Sequence, residues 1–160
     1  MAKIDLATRQ IVKRVSFPAK SKPYMLRVAP DGKTVWVQTA GDNTNAVLDA
    51  ETLETLQTAP TGKGPVQSAF DPAGRYGLIT HLEETYVLVL DRATGKPVQR
   101  IEVGGPQANA SFMPDGATAF VTVTSTNEIV AIDMAELAVS GRISAGAEPM
   151  GLVVFNPAAP

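Results

Sequence analysis

The single histidine of the chain, His81, stands within three residues of two carboxylates, Glu83 and Glu84. An imidazole beside acids can ligate a metal or a haem iron, or act as a general base near neutral pH. A metal site asks for several converging ligands, and one histidine with two neighbouring acids falls short of that. The same side chain also suits a strand end that hydrogen-bonds a loop. Arg27 offers a permanent positive charge, either for an anion or for pairing with a carboxylate. Gln107 and Asn109 add amide donors and acceptors two residues apart. The candidate ligand-binding residues are therefore His81, Arg27, Glu83, Gln107 and Asn109; no catalytic residue and no metal ligand is assigned. Cysteine is absent, which excludes thiol catalysis, disulfides and thiolate metal sites. No glycine-rich phosphate loop, nucleophile elbow or His-Glu-x-x-His motif occurs.

The aspartates that might otherwise invite acid–base chemistry belong to a pattern. Asp5, Asp49, Asp91 and Asp133 each close an apolar run, at spacings of 44, 42 and 42. Prolines open matching segments at Pro23, Pro65, Pro106 and Pro149, spaced 42, 41 and 43. A turn signal recurs as Pro30-Asp31-Gly32, Pro72-Ala73-Gly74, Pro114-Asp115-Gly116 and the truncated Pro157-Ala158. A residue that returns with the period serves each unit's own turn, so Asp31, Asp49, Asp91, Asp115 and Asp133 are read as structural.

A period near 42 fits either paired helices or four strands per unit. Each unit carries four short runs rich in Val, Ile, Phe, Tyr and Thr, separated by turn residues. In the middle copy the runs are Gln67–Phe70, Tyr76–Thr80, Thr85–Asp91 and Pro97–Val103. No window sustains a helical i, i+3, i+4, i+7 pattern. Pro and Gly, 25 of 160 residues, fall mostly between the runs, where they break helices and set turns. The expected fold is all-β: four-stranded antiparallel blades of a β-propeller, which must stack because each sheet is apolar on both faces.

These residues resemble the YVTN-type β-propeller repeat. The second strands read Trp36-Val37-Gln38-Thr39, Leu78-Ile79-Thr80-His81 and Phe120-Val121-Thr122-Val123. The third strands end Leu48-Asp49, Leu90-Asp91 and Ile132-Asp133, and the middle copy adds Thr94-Gly95 and Val103-Gly104. The terminal Asn of the name motif is replaced in all three copies. The resemblance implies a propeller, ligands commonly held at the mouth of the central channel near the entries to the inner strands, and a family often periplasmic or extracellular. No signal peptide precedes Met1-Ala2-Lys3-Ile4-Asp5 here, so localisation is left open.

Residues 1–160 divide as one repeat domain: 1–22 end a preceding blade, 23–64, 65–105 and 106–148 are whole blades, and 149–160 supply the first strand of a following one. Residues just before the proline turns, Val28, Phe70, Phe112 and Phe155, are expected to be buried. Fifteen strands do not complete a fourth blade, so the reading is an open arc rather than a closed ring, with self-association through open blade edges as its consequence. Net charge is −2 with mixed signs, which gives no electrostatic footprint for nucleic acid. No apolar run is long enough for a membrane span.

The function expected from this is a non-catalytic binding or scaffold module recognising a protein or small ligand at the propeller rim, without a cofactor. One alternative is part of a redox propeller holding a haem- or quinone-type cofactor, resting on His81 and Arg27. A second is a lactonase-like hydrolase, which would need carboxylates clustered around a metal.

Overall fold

The computed structural model describes residues 1–155, and the expected Pro157-Ala158 turn lies outside them. The described residues hold fourteen strands and one short 3₁₀ turn, Ala19–Ser21, with no α-helix. A two-stranded hairpin, β1 (Ala2–Asp5) and β2 (Gln10–Arg14), comes first. Three four-stranded sheets follow: β3 (Pro23–Val28) to β6 (Thr55–Pro60), β7 (Pro65–Phe70) to β10 (Pro97–Glu102), and β11 (Gln107–Phe112) to β14 (Ala138–Ser144). Between those limits run β4 (Thr34–Thr39), β5 (Thr44–Asp49), β8 (Tyr76–His81), β9 (Tyr86–Asp91), β12 (Thr118–Val123) and β13 (Glu128–Asp133). Within each sheet the strands are antiparallel and lie in sequence order.

Local chemistry sets the limits of each strand. β3 and β7 open on proline, which has no N–H to give a ladder and so suits a strand's first residue. The first turn of every blade needs a residue at positive φ, and Gly32, Gly74 and Gly116 supply it at +71°, +70° and +74°. Each donates its N–H back across the turn, to Ala29, Asp71 and Met113 respectively. The recurring aspartates hold the outer turns. Asp49 Oδ1 accepts from the amides of Glu51 and Thr52, Asp91 Oδ1 from that of Thr94, and Asp133 Oδ1 from those of Ala135 and Glu136. Asp31 also binds Arg92 of the next blade at 2.8 Å.

The sheets stack face to face, and each interface has its own core. Between the first and second blades, Trp36 and Val47 meet Phe70, Ile79, Leu88 and Leu90. Trp36 is fully buried and stands edge-on to Phe70, with ring centroids 5.0 Å apart. Its six-membered ring fills the space over Gly77, where a Cβ would lie 2.6 Å from Trp36 Cζ3. Between the second and third blades, Leu78, Val87 and Val89 meet Phe112, Val121, Val130 and Ile132. The hairpin β1–β2 lies against the other side of the first blade, where Met1, Val15 and Phe17 cover Val35, Val37 and Leu48.

The stack is an open arc, and its ends differ from the sequence expectation. Gly151–Phe155 forms no strand, because no second strand lies beside it to complete a ladder. Burial before the proline turn is found only where a neighbouring blade covers the residue. Phe112 is buried and Phe70 half-buried, whereas Val28 and Phe155 are 51% and 73% exposed. Every residue of β3 is exposed, since Met1, Val15 and Phe17 cover β4 and β5, the middle strands of that blade.

Gly77→Ala is expected to destabilise by about 1–3 kcal/mol through overpacking against the indole. Combining it with Trp36→Phe, which removes the clashing ring, should cost less than the sum of the two single changes. Additive denaturant midpoints would refute that contact. Phe112→Ala should cost about 3–5 kcal/mol in the same assay, and Phe70→Ala less because it is only half-buried.

Candidate functional site

Two separate places gather the polar residues singled out from the sequence. The first is the rim where the chain enters the inner strands. His81 ends β8 opposite Pro65 and is fully buried. Its Nε2 accepts a 3.0 Å hydrogen bond from the Gly62 amide, so the ring is neutral with its proton on Nδ1, which has no partner among the described residues. The ring tilts against Tyr86 at 5.4 Å between centroids. Gln107, also fully buried, accepts the His81 amide at 3.2 Å and donates to the carbonyls of Glu84, at 2.8 Å, and Gly105. Glu84 accepts the Lys63 amide at 2.8 Å, and Glu83 packs over Gly64 with its carboxylate exposed.

The effect of this network is to fasten the β8–β9 loop to the two inter-blade connections. His81 Nε2 and the Gln107 side-chain amide are therefore spent on the protein's own backbone. Burial pulls the His81 pKa down to about 4, against the opposing pulls of the Tyr86 backbone and the Glu84 carboxylate.

The second place lies at the other end of the inner strands. Arg27, Ala69, Asn109 and Ser111 from β3, β7 and β11, with Leu152 and Val154, line one open cavity of about 450 Å³. Val28, Phe70 and Phe112 supply its apolar walls, and the turn prolines Pro30, Pro72 and Pro114 its edge. Arg27 has no hydrogen-bond or ion-pair partner among the described residues, so the sequence alternative of pairing with a carboxylate is not realised there. Asn109 donates its backbone N–H to Thr122 Oγ1 at 3.0 Å, while its buried Oδ1 has no partner among the described residues.

So the five candidates divide. Arg27 and Asn109 share one cavity, whereas His81, Glu83 and Gln107 share the opposite rim. The sequence candidates span both places, and the inner strands converge around the cavity next to the proline turns. The lining follows one column of the repeat, Arg27, Ala69, Ser111 and Val154, in which small residues leave room and one position carries a charge. No three of His, Asp and Glu come together as a metal-sized cluster among the described residues.

No family model matches the chain, and no curated protein matches it in sequence. Solved structures do. The hydrazine synthase of Kuenenia stuttgartiensis superposes with a TM-score of 0.77 at 23% identity, over 86% of this chain and 40% of that one. The dihydro-heme d1 dehydrogenase NirN gives 0.74 at 17% identity, over 92% and 33%. The Cps50 (Swd1) β-propeller domain of Myceliophteria thermophila gives 0.64 at 18%, over 76% and 38%. At such identities the likeness shows the fold, that of a β-propeller, of which this chain spans 33–40% of each matched chain's length.

The buried histidine makes stability depend on pH. The unfolded chain binds a proton at His81 below about 6.5 and the folded chain only below about 4. Stability from this residue is thus complete above pH 6.5 and lost as pH falls toward 4, by roughly 3 kcal/mol at most. His81→Gln keeps an acceptor for the Gly62 amide and has no proton to bind. Its denaturation free energy should fall less than that of the wild type between pH 6.5 and 4; equal slopes would show that His81 is accessible to protons in the fold.

Proposed function

We propose that the chain is a non-catalytic recognition module of the YVTN-repeat propeller type, and that it binds an extended acidic segment or a small anionic ligand in the cavity at the inner-strand ends. The observation that carries this is Arg27 in that cavity, a charge with no ionic partner among the described residues, set among apolar walls and small side chains. A guanidinium forks onto a carboxylate, and Phe112 and Met113 offer an adjacent apolar surface for a neighbouring side chain. Ser111 lines the same cavity and adds a hydroxyl.

The redox alternative asks His81 to hold a haem iron. That side chain does not fit the role: it is fully buried, and its Nε2 lone pair is used by the Gly62 amide. The hydrolase alternative asks for clustered carboxylates, and the described residues supply no such group to build on. Recognition uses what the cavity contains.

A random peptide library displayed on phage provides the test. Selected peptides should carry Asp, Glu or a free carboxyl terminus beside an apolar residue. Their affinity, measured by calorimetry, should drop about 10- to 100-fold in Arg27→Ala, the loss of one charge-assisted hydrogen-bonded pair, and remain unchanged in His81→Gln. Selection of no peptide, or affinities indifferent to Arg27→Ala, would overturn this site.

A further inference from the structure

The interface between the first and second blades buries more polar atoms than it pairs. Trp36, Gln38, Asn45, Ser68 and His81 are all fully buried. Trp36 Nε1, Gln38 Oε1, Asn45 Nδ2, Ser68 Oγ and His81 Nδ1 have no hydrogen-bond partner among the described residues. Strand alternation sets all five side chains in this one interface. Gln38 follows Trp36 by two on β4, so it shares the face that meets Phe70. Asn45 is its cross-strand partner on β5. Ser68 precedes Phe70 by two on β7, and His81 follows Ile79 by two on β8. Phe70 and Ile79 both belong to the core of that interface.

Register sorts these groups into rows. β4 runs against β3, and so against its repeat β7, which it touches. The step from Trp36 to Gln38 therefore matches the step back from Phe70 to Ser68. Gln38, Asn45 and Ser68 form the middle row, with Trp36 in the row before and His81 in the row after. The interface between the second and third blades is built otherwise. Thr80, Val87 and Ala110 hold the corresponding places in the repeat. Val87 and Ala110 lie in the apolar core, and Gln67 closes directly on the Ala110 backbone. At the first interface Gln38 Nε2 donates to Asn45 Oδ1 at 2.9 Å. Whichever way round the two amides stand, one acceptor and one donor remain over, and the Ser68 hydroxyl can serve as either.

We propose that Gln38, Asn45 and Ser68 hold an ordered water molecule between the first and second blades. Buried polar groups in folded proteins are paired, and an internal water bonds about three of them. The free atoms select the occupant. A cation would meet the Asn45 N–H groups and an anion the Gln38 oxygen, whereas water donates to the one and accepts from the other. Full burial of all three side chains restricts the occupant to something small. At this junction the water does what the Gln67 amide does at the next: it ties two blades through polar groups where no ladder joins them.

Crystallography and oxygen-17 relaxation dispersion test the site. A near-atomic crystal structure of the chain should show a single rounded density peak at roughly 2.7–3.2 Å from Gln38, Asn45 and Ser68. In solution the dispersion should count one more long-lived water in the wild type than in Gln38→Met with Asn45→Leu, which fills the same space without the polar atoms. Ser68→Ala removes one partner with little change in packing. It should shorten the residence of that water about tenfold, the effect of one lost hydrogen bond. Side chains that close on one another with no peak between them would overturn the proposal, as would density too long for a water. An equal water count in the double variant, or a residence time indifferent to Ser68→Ala, would overturn it too.

Discussion

The structure depends on one constraint: a four-stranded blade is apolar on both faces and can bury them only against a neighbouring blade. Hydrogen bonding gives each sheet its internal order, but no ladder joins one blade to the next. What joins them is side-chain burial between faces, as in any solenoid or propeller where each unit touches only its neighbours. The most specific of these contacts is Trp36 against Phe70 over Gly77. A large ring in one blade needs an absent side chain in the next, so the two repeats are fitted to each other and are not interchangeable. The second interface solves the same problem differently, with Leu78 where the indole was and Ala119 where the glycine was.

A second device holds the inner strands in register where no ladder can. Gln67 is buried and reaches across to the third blade, its Nε2 donating to the Ala110 carbonyl and its Oε1 accepting the Ala110 amide at 2.8 Å. One amide side chain thus copies a peptide unit and pairs β7 to β11 at a single point. Two satisfied groups in a low-dielectric interior make a firmer tie than apolar packing alone, because breaking it strands both. In the repeat the corresponding residue of the third blade is Asn109, whose Oδ1 is buried and unpartnered among the described residues. The first blade has Met25 there and makes no such tie, and β3 is correspondingly the most exposed of the three inner strands.

The sequence made the architecture legible because turn chemistry repeats. Prolines at strand starts, glycines at positive φ and aspartates on outer turns each answer a backbone demand that every blade makes, so they stand out as a period. Burial was less legible. Val28 and Phe155 look identical in role to Phe112, yet their exposure is set by whether a neighbouring blade is present, which no local pattern encodes. The cavity was least legible, since its lining comes from one column spread over four repeats and its place at the turn end depends on how the inner strands converge. Arg27 was visible as an oddity in that column; its lack of an ionic partner was not.

The middle blade shows why an odd residue in a repeat need not mark a site. In the first and third blades Asn43 and Asn127 adopt the left-handed conformation, at φ of 56° and 57°. Each accepts an amide twenty-one residues ahead through Oδ1, from Gly64 at 3.1 Å and Glu148 at 2.9 Å. Asparagine suits both tasks, tolerating positive φ and offering a short acceptor. The second blade has Thr85 at that position, a β-branched residue for which positive φ is costly. There the backbone carbonyl of Thr85 takes the amide of Val103, as Asn43 and Asn127 take those of Thr61 and Ala145, and also that of Gly104, while Gln107 reaches back to the Glu84 and Gly105 carbonyls. His81 and Glu84 meanwhile hold the amides of Gly62 and Lys63 on the other side of the same loop. Gln107 ties the connection after the second blade, where the other blades use asparagine, and His81 ties the connection before it, where Asn43 also acts.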